Sequence, residues 1–166
     1  LLIFDGFNSG IAAVKDLNGD GRPELIASSD TLAYFGGISY AQSPWIRMVI
    51  GWDGRRYTDQ TRRYPDGSRR EVRRYQSAFL AAFKQRDQWA EESRRGAAAG
   101  CYANALAIGE GAAARRWLMR HAPMITWRWL RENEPKLRAA VAEGPSKIRA
   151  SQQTVLEAPT IRSTAQ

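Results

Sequence analysis

The sequence predicts an α+β fold, with a small antiparallel β-sheet in the N-terminal half packed against a helical C-terminal half. Two observations carry this. Up to about residue 68, the turn signals "DGFNSG", "NGDG", "FGG", "WDG" and "PDG" punctuate short apolar runs. Beyond it, apolar residues recur at three- and four-residue spacing among charged ones. The 166 residues suffice for one ordinary domain, and 43% hydrophobic with 25% charged residues is normal for a folded soluble chain. The chain is expected to be one domain, 1–166, with a β-rich part over 1–67, a helical part over 68–144 and a polar tail over 145–166.

Four strands are expected in the first part. "GIAAVKDL" is the first. "PELIASS" is the second, with Pro23 at its entry, where a missing N–H is tolerated. "WIRMVIGW" is the third, and "RRYTDQT" follows the "WDG" turn as the fourth. A meander is the simplest order for them. "TLAYFGGISYAQSP" makes a longer connection between the second and third.

The helical texture starts with "RREVRRYQSAFLAAFKQRDQWAEESRR", where Val72, Tyr75, Phe79 and Phe83 share one face. "AAAGCYANALAIGEG" repeats the pattern through Tyr102, Ala105, Leu106 and Ile108, and Gly109 with Gly111 stops it. "AAARRWLMRH" ends before Pro123. "MITWRWLRENE" and "PKLRAAVAEG" follow, with Pro135 suited to a first helical position and Gly144–Pro145 closing the last helix. In the tail, "QTVLEA" is compatible with a short strand. "YANALAIGEGAAARRWL" has the look of one tetratricopeptide-type hairpin, but with no second unit it is taken as a generic helical hairpin.

Net charge is +8, nearly all of the positive charge is arginine, and the pI is near 10.1. This permits an anionic polymer, nucleic acid or glycan, as partner without requiring one. "RRYPDGSRREVRRYQ" is the most basic segment, and Arg69, Arg70, Arg73 and Arg74 are its candidate anion-binding residues. The competing expectation is a solvated helix face. No run approaches the roughly 20 apolar residues of a membrane span. The single cysteine, Cys101, precludes an intrachain disulfide.

Against this basic background, "DLNGDGRPEL" is anomalous. Asp16, Asn18, Asp20 and Glu24 crowd into one short stretch. Counting Asp16 as position 1, oxygen-bearing side chains fall at 3, 5 and 9. Gly21 at 6 allows a sharp turn, and Arg22 at 7 can offer its carbonyl while its guanidinium points outward. Hard cations such as Ca²⁺ take six to eight oxygen ligands. A helix–loop–helix calcium hand needs a bidentate glutamate at position 12, where this chain has Ala27, and strand-like residues follow. The motif is therefore a strand–loop–strand pattern, D-x-N-x-D-G-x-x-E. A plain hairpin turn would also use Asn-Gly and Asp-Gly. That alternative leaves three carboxylates without a counter-charge, at about 1–4 kcal/mol per close pair.

"AVKDLNGDGRPELIAS", with "IGWDGRRYTDQT" as outer strands, resembles the FG-GAP/VCBS type of repeat over residues 10–61. The resemblance implies a blade whose first two strands flank a calcium loop, with Asp16, Asn18, Asp20, the Arg22 carbonyl and Glu24 as ligands. A propeller needs about four to eight blades, and this chain has one, so the helical half is expected to cover the blade's open face.

Other chemistry is sparse. Cys101 and His121 fall on separate helices with no third orienting group, so they are expected to be structural. Glu91–Glu92 and Glu132–Glu134 are expected at the solvated surface. Of Trp127 and Trp129, on different helix faces, one is expected in the core. No zinc, nucleotide or hydrolase motif is present. The expected function is a calcium-binding structural or interaction module of an exported bacterial protein, periplasmic or secreted, partnered by another exported protein. Its metal would be structural. The alternatives are a basic module for an anionic polymer and an enzyme whose site is not visible in sequence.

Overall fold

The computed structural model describes residues 10–156. Strands β1 (Ile11–Lys15), β2 (Glu24–Ser29), β3 (Ile46–Trp52) and β4 (Tyr57–Asp59) form one antiparallel sheet in the order β1-β2-β3-β4. This is the expected meander. Lys15 pairs with Glu24, Leu25 with Ile50, and Trp52 with Tyr57. The helical half comprises α1 (Pro65–Ala81), α2 (Ala90–Ala107), α3 (Gly111–His121) and α4 (Met124–Leu156). The fold is α+β, as predicted.

The period of two on β2 and β3 puts Leu25, Ala27, Met48 and Ile50 on one face. Ile148 of α4 packs against that face, and all five are buried. A larger core lies among the helices. It gathers Tyr75 and Phe79 of α1, Tyr102 of α2, Leu118 of α3 and Leu130 of α4, with Ile46 at the start of β3. Of the predicted apolar face of α1, Tyr75 and Phe79 are buried, Val72 packs partly, and Phe83 is 41% exposed.

The sheet and the helices meet where β3 runs past the end of β4. There the fully buried Asn104 of α2 takes the place of a neighbouring strand. Its Oδ1 accepts from the Arg47 N–H at 2.9 Å, and its Nδ2 donates to the Trp45 carbonyl at 2.9 Å. The Tyr75 hydroxyl accepts from the Trp45 N–H at 2.9 Å. Main-chain groups that would otherwise be buried without partners are thereby satisfied. Close approach of α1 and α2 depends on Gly100, since a Cβ there would lie 2.6 Å from the Tyr75 ring.

Three helical expectations are corrected. The run through "KQRDQW" is broken: α1 ends at Ala81, a 3₁₀ turn covers Ala82–Lys84, and α2 restarts at Ala90. Gln85 is extended, and the Asp87 carboxylate accepts the Trp89 N–H at 2.9 Å, which favours a turn over helix. The second correction is that "MITWRWLRENE" and "PKLRAAVAEG" are one helix, α4, which contains Pro135 and Pro145. Gly144 does not end it. It lets the helix approach the sheet, with its absent Cβ 3.1 Å from the Met48 sulfur. Burial of Ile148 beyond that point favours continuation despite the N–H that each proline lacks. Finally, residues 153–156 of "QTVLEA" are helical, and the rest of the tail lies outside the described residues. The α2–α3 hairpin matches expectation, with Gly109 at φ 82° and the Glu110 N–H bonded to the Ala105 carbonyl at 2.8 Å.

Replacing Asn104 by Leu keeps its size and strands these main-chain groups. We expect a loss of about 2–4 kcal/mol in denaturant unfolding, and a loss below half of one would disprove the bridging role.

Candidate metal centre in the β1–β2 loop

Pairing of Lys15 with Glu24 brings both ends of the acidic loop together. Inside it, side chains organise the backbone. Asp16 Oδ1 accepts the Gly19 N–H at 2.7 Å and Oδ2 the Gly21 N–H at 2.9 Å. Asn18 Oδ1 accepts the Asp20 N–H at 3.0 Å, and Asp20 Oδ1 the Arg22 N–H at 2.8 Å. The Asn18 amide also donates to Asp20 Oδ2 at 2.8 Å. Nested turns of this kind suit Asp and Asn, whose short side chains reach the backbone two to five residues on. Gly19 and Gly21 adopt φ of 77° and 81°, a region costly to other residues.

Glu24 differs from its neighbours. It is 2% exposed, and its carboxylate accepts the Leu17 N–H at 2.7 Å and the Tyr64 hydroxyl at 3.1 Å. Burial, then the bond to Glu24, pushes the Tyr64 phenol upward. The Arg22 guanidinium lies over the Trp52 ring, 5.5 Å from its centre, and so is turned to an aromatic partner. Asp16, Asp20 and Glu24 form no ion pair among the described residues.

The donor set is oxygen only, the chemistry of a hard cation. Among the described residues, however, no group of three or more His, Cys, Asp or Glu side chains is gathered to hold a metal ion. Each carboxylate oxygen has two lone pairs, so an N–H bond leaves acceptor capacity. Asp53 shows what a turn alone requires. In the "WDG" turn its Oδ1 accepts the Arg55 and Arg56 N–H groups at 2.9 Å each, and the rest of that turn is glycine and arginine. The β1–β2 loop uses three carboxylates where that turn uses one, and each accepts at least one loop N–H: Asp16 from Gly19 and Gly21, Asp20 from Arg22, and Glu24 from Leu17.

The basic segment is partly neutralised within the chain. Arg69 binds Glu110 at 2.7 Å and Asp66 at 3.2 Å. Arg74 binds Glu71 at 2.7 Å and lies over the Tyr75 ring at 4.4 Å. Arg70 and Arg73 are exposed on the same helix.

Three of the four carboxylates expected at the surface turn out to be structural. Glu91 pairs with Arg94 and Arg95 at 3.0 Å each and accepts the Thr126 hydroxyl at 3.1 Å. Glu92 accepts the Ser39 N–H. Glu134 accepts the Tyr102 hydroxyl at 2.5 Å and pairs with Arg138 at 2.8 Å. The Tyr102 bond, opposed by burial and aided by Arg138, holds Glu134 below its usual range. Burial and Glu134 push the Tyr102 phenol up to about 12. Glu91 and Glu134 bond to side chains of a neighbouring helix, and Glu92 to the backbone at Ser39, which spacing along one helix does not reveal.

Burial raises the Cys101 thiol to about 12, which leaves it unsuited to nucleophilic chemistry. His121 is exposed, stacks on Trp117 at 4.4 Å and contacts its carbonyl through Nδ1 at 2.8 Å. Trp129 is the core tryptophan and donates to the Gly36 carbonyl at 3.1 Å.

The bond from the Gly21 N–H foremost, with those from further loop N–H groups, lowers Asp16 from its usual value against opposing desolvation. Its stabilising contribution is therefore complete above the unfolded-chain value of about 3.9 and is lost as pH falls through the lower folded value. Carboxyl NMR titration should place Asp16 below that figure. An Asp16 titrating at or above it would refute the bonding pattern.

Comparison with protein-family models, curated proteins and solved structures finds no match to this chain.

Proposed function

We propose that this chain is a calcium-binding structural or interaction module of an exported bacterial protein. The metal would fix the β1–β2 loop and take no part in chemistry. One observation carries the proposal: in a chain of net charge +8, the buried Glu24 and the adjacent Asp16 and Asp20 have no cationic partner among the described residues. A buried carboxylate held only by neutral donors is costly unless a counter-charge is supplied. The residues that would hold the ion are Asp16, Asn18, Asp20 and Glu24 through side-chain oxygens and Arg22 through its carbonyl. Their backbone frame is built, while their carboxylates are spread among loop donors. Binding therefore entails rotation of side chains about a fixed loop. The exported setting rests on the FG-GAP/VCBS resemblance and on the abundance of calcium outside cells. Among the described residues no helix is long and apolar enough to cross a membrane.

The test is thermal unfolding with and without millimolar calcium, beside an Asp16→Ala/Asp20→Ala double mutant. Ligand linkage gives about 2.7 kcal/mol of stabilisation at one hundred times Kd. A calcium-dependent rise in Tm that the double mutant lacks supports the assignment. The same Tm with and without calcium, in a mutant at least as stable, reduces the loop to a turn.

A further inference from the structure

A second charged residue of the sheet has no direct ion-pair partner among the described residues, this time of opposite sign. Arg47 of β3 is only partly exposed, and its Nε is buried with no hydrogen-bond partner. The side chain lies along the start of α1, where Nε packs against Gly67 so closely that no Cβ would fit. It makes no ion pair among the described residues. Burial, and then the charge of Arg70, push its guanidinium down from the usual value, with Glu71 opposing. A guanidinium taken from water beside a second one, at the positive end of a helix, is an unfavourable arrangement for the chain alone.

Beside Arg47 lies a hollow of about 200 Å³, lined by Ser28, Trp45, Arg47, Glu71 and Arg74. Arg74 is held there by Glu71, at 2.7 Å, and by the Tyr75 ring. Two arginines, Arg47 and Arg74, thus line the hollow with one carboxylate, Glu71, and Arg70 is near enough to act on the charge of Arg47. The volume is below the roughly 300–1,000 Å³ of sites that enclose a whole small molecule. It suits a single charged group presented from outside.

We propose that this hollow binds a tetrahedral oxyanion, a phosphate or sulfate group, with Arg47 as its principal charge partner. The planar fork of arginine suits such oxygens, and the group would supply the direct ion-pair partner that Arg47 lacks. The site shares no residue with the β1–β2 loop and stands whether or not that loop binds calcium. It also revises the sequence-based anion candidates, since Arg69 is already engaged by Glu110 and Asp66, and Arg47 lies far from them in sequence.

The test is ¹H–¹⁵N NMR titration of the full chain with inorganic phosphate and inorganic sulfate, against sodium chloride at matched ionic strength. We expect a saturable change centred on Arg47, Arg74 and the Trp45 indole with one or both oxyanions and none with chloride. A preference between the two distinguishes a phosphate-bearing from a sulfate-bearing ligand. Arg47→Met, which keeps the apolar stem, should weaken binding at least tenfold, and Arg69→Met should leave it unchanged. Arg47→Gln serves the same purpose if Arg47→Met does not fold. Absence of saturable change beyond chloride, or undiminished affinity without the Arg47 charge, overturns the proposal.

Discussion

Much of this structure depends on how the exposed start of β3 is completed. Beyond the reach of β4, Trp45 and Arg47 present partly buried main-chain groups that a sheet would pair. Asn104 and Tyr75 supply the partners from α2 and α1. The sheet is thus joined to the helices by directional bonds as well as by apolar contact. Apolar contact alone tolerates sliding; a carboxamide bonded on both sides does not. The same junction fixes the register of β3. Through the β2–β3 ladder it sets the position of Glu24, and through α1 it sets the surroundings of Arg47.

The two unbalanced charges follow from this arrangement. Elsewhere the excess arginine is dispersed. Arg69, Arg94, Arg95 and Arg138 find carboxylates, while Arg22, Arg63 and Arg115 lie over aromatic rings. Glu24 and Arg47 stand out because each belongs to a central strand of the sheet and neither forms an ion pair among the described residues.

The strands were legible because turn residues bracket each one and because alternation along β2 and β3 identifies the buried face. The acidic loop was legible as a turn for similar reasons, since Asp, Asn and Gly act through their own backbone. What local pattern cannot convey is which partner arrives from afar. The inward turn of Glu24 depends on Tyr64, forty residues later. Glu134 looks solvated until Tyr102 is placed beside it. Asn104, amid alanines on α2, carries no signal of the strand edge it completes. The prolines of α4 misled for the opposite reason: local breakers were outweighed by packing against Met48 and around Ile148.

Strand β1 illustrates a different consequence. Its residues are mostly exposed on both faces, and among the described residues β2 is its sole neighbour in the sheet. Nothing of the central core lies on it, so the ladder to β2 and the loop are its main restraints. Such a strand opens without the rest of the molecule following, and its amide protons exchange with solvent far sooner than those of β2 or β3. The free energy of that local opening is shared between the ladder to β2 and the loop between Lys15 and Glu24. An ion held there would act as a latch on the first strand, and it would slow proton exchange along β1 while leaving the helices untouched.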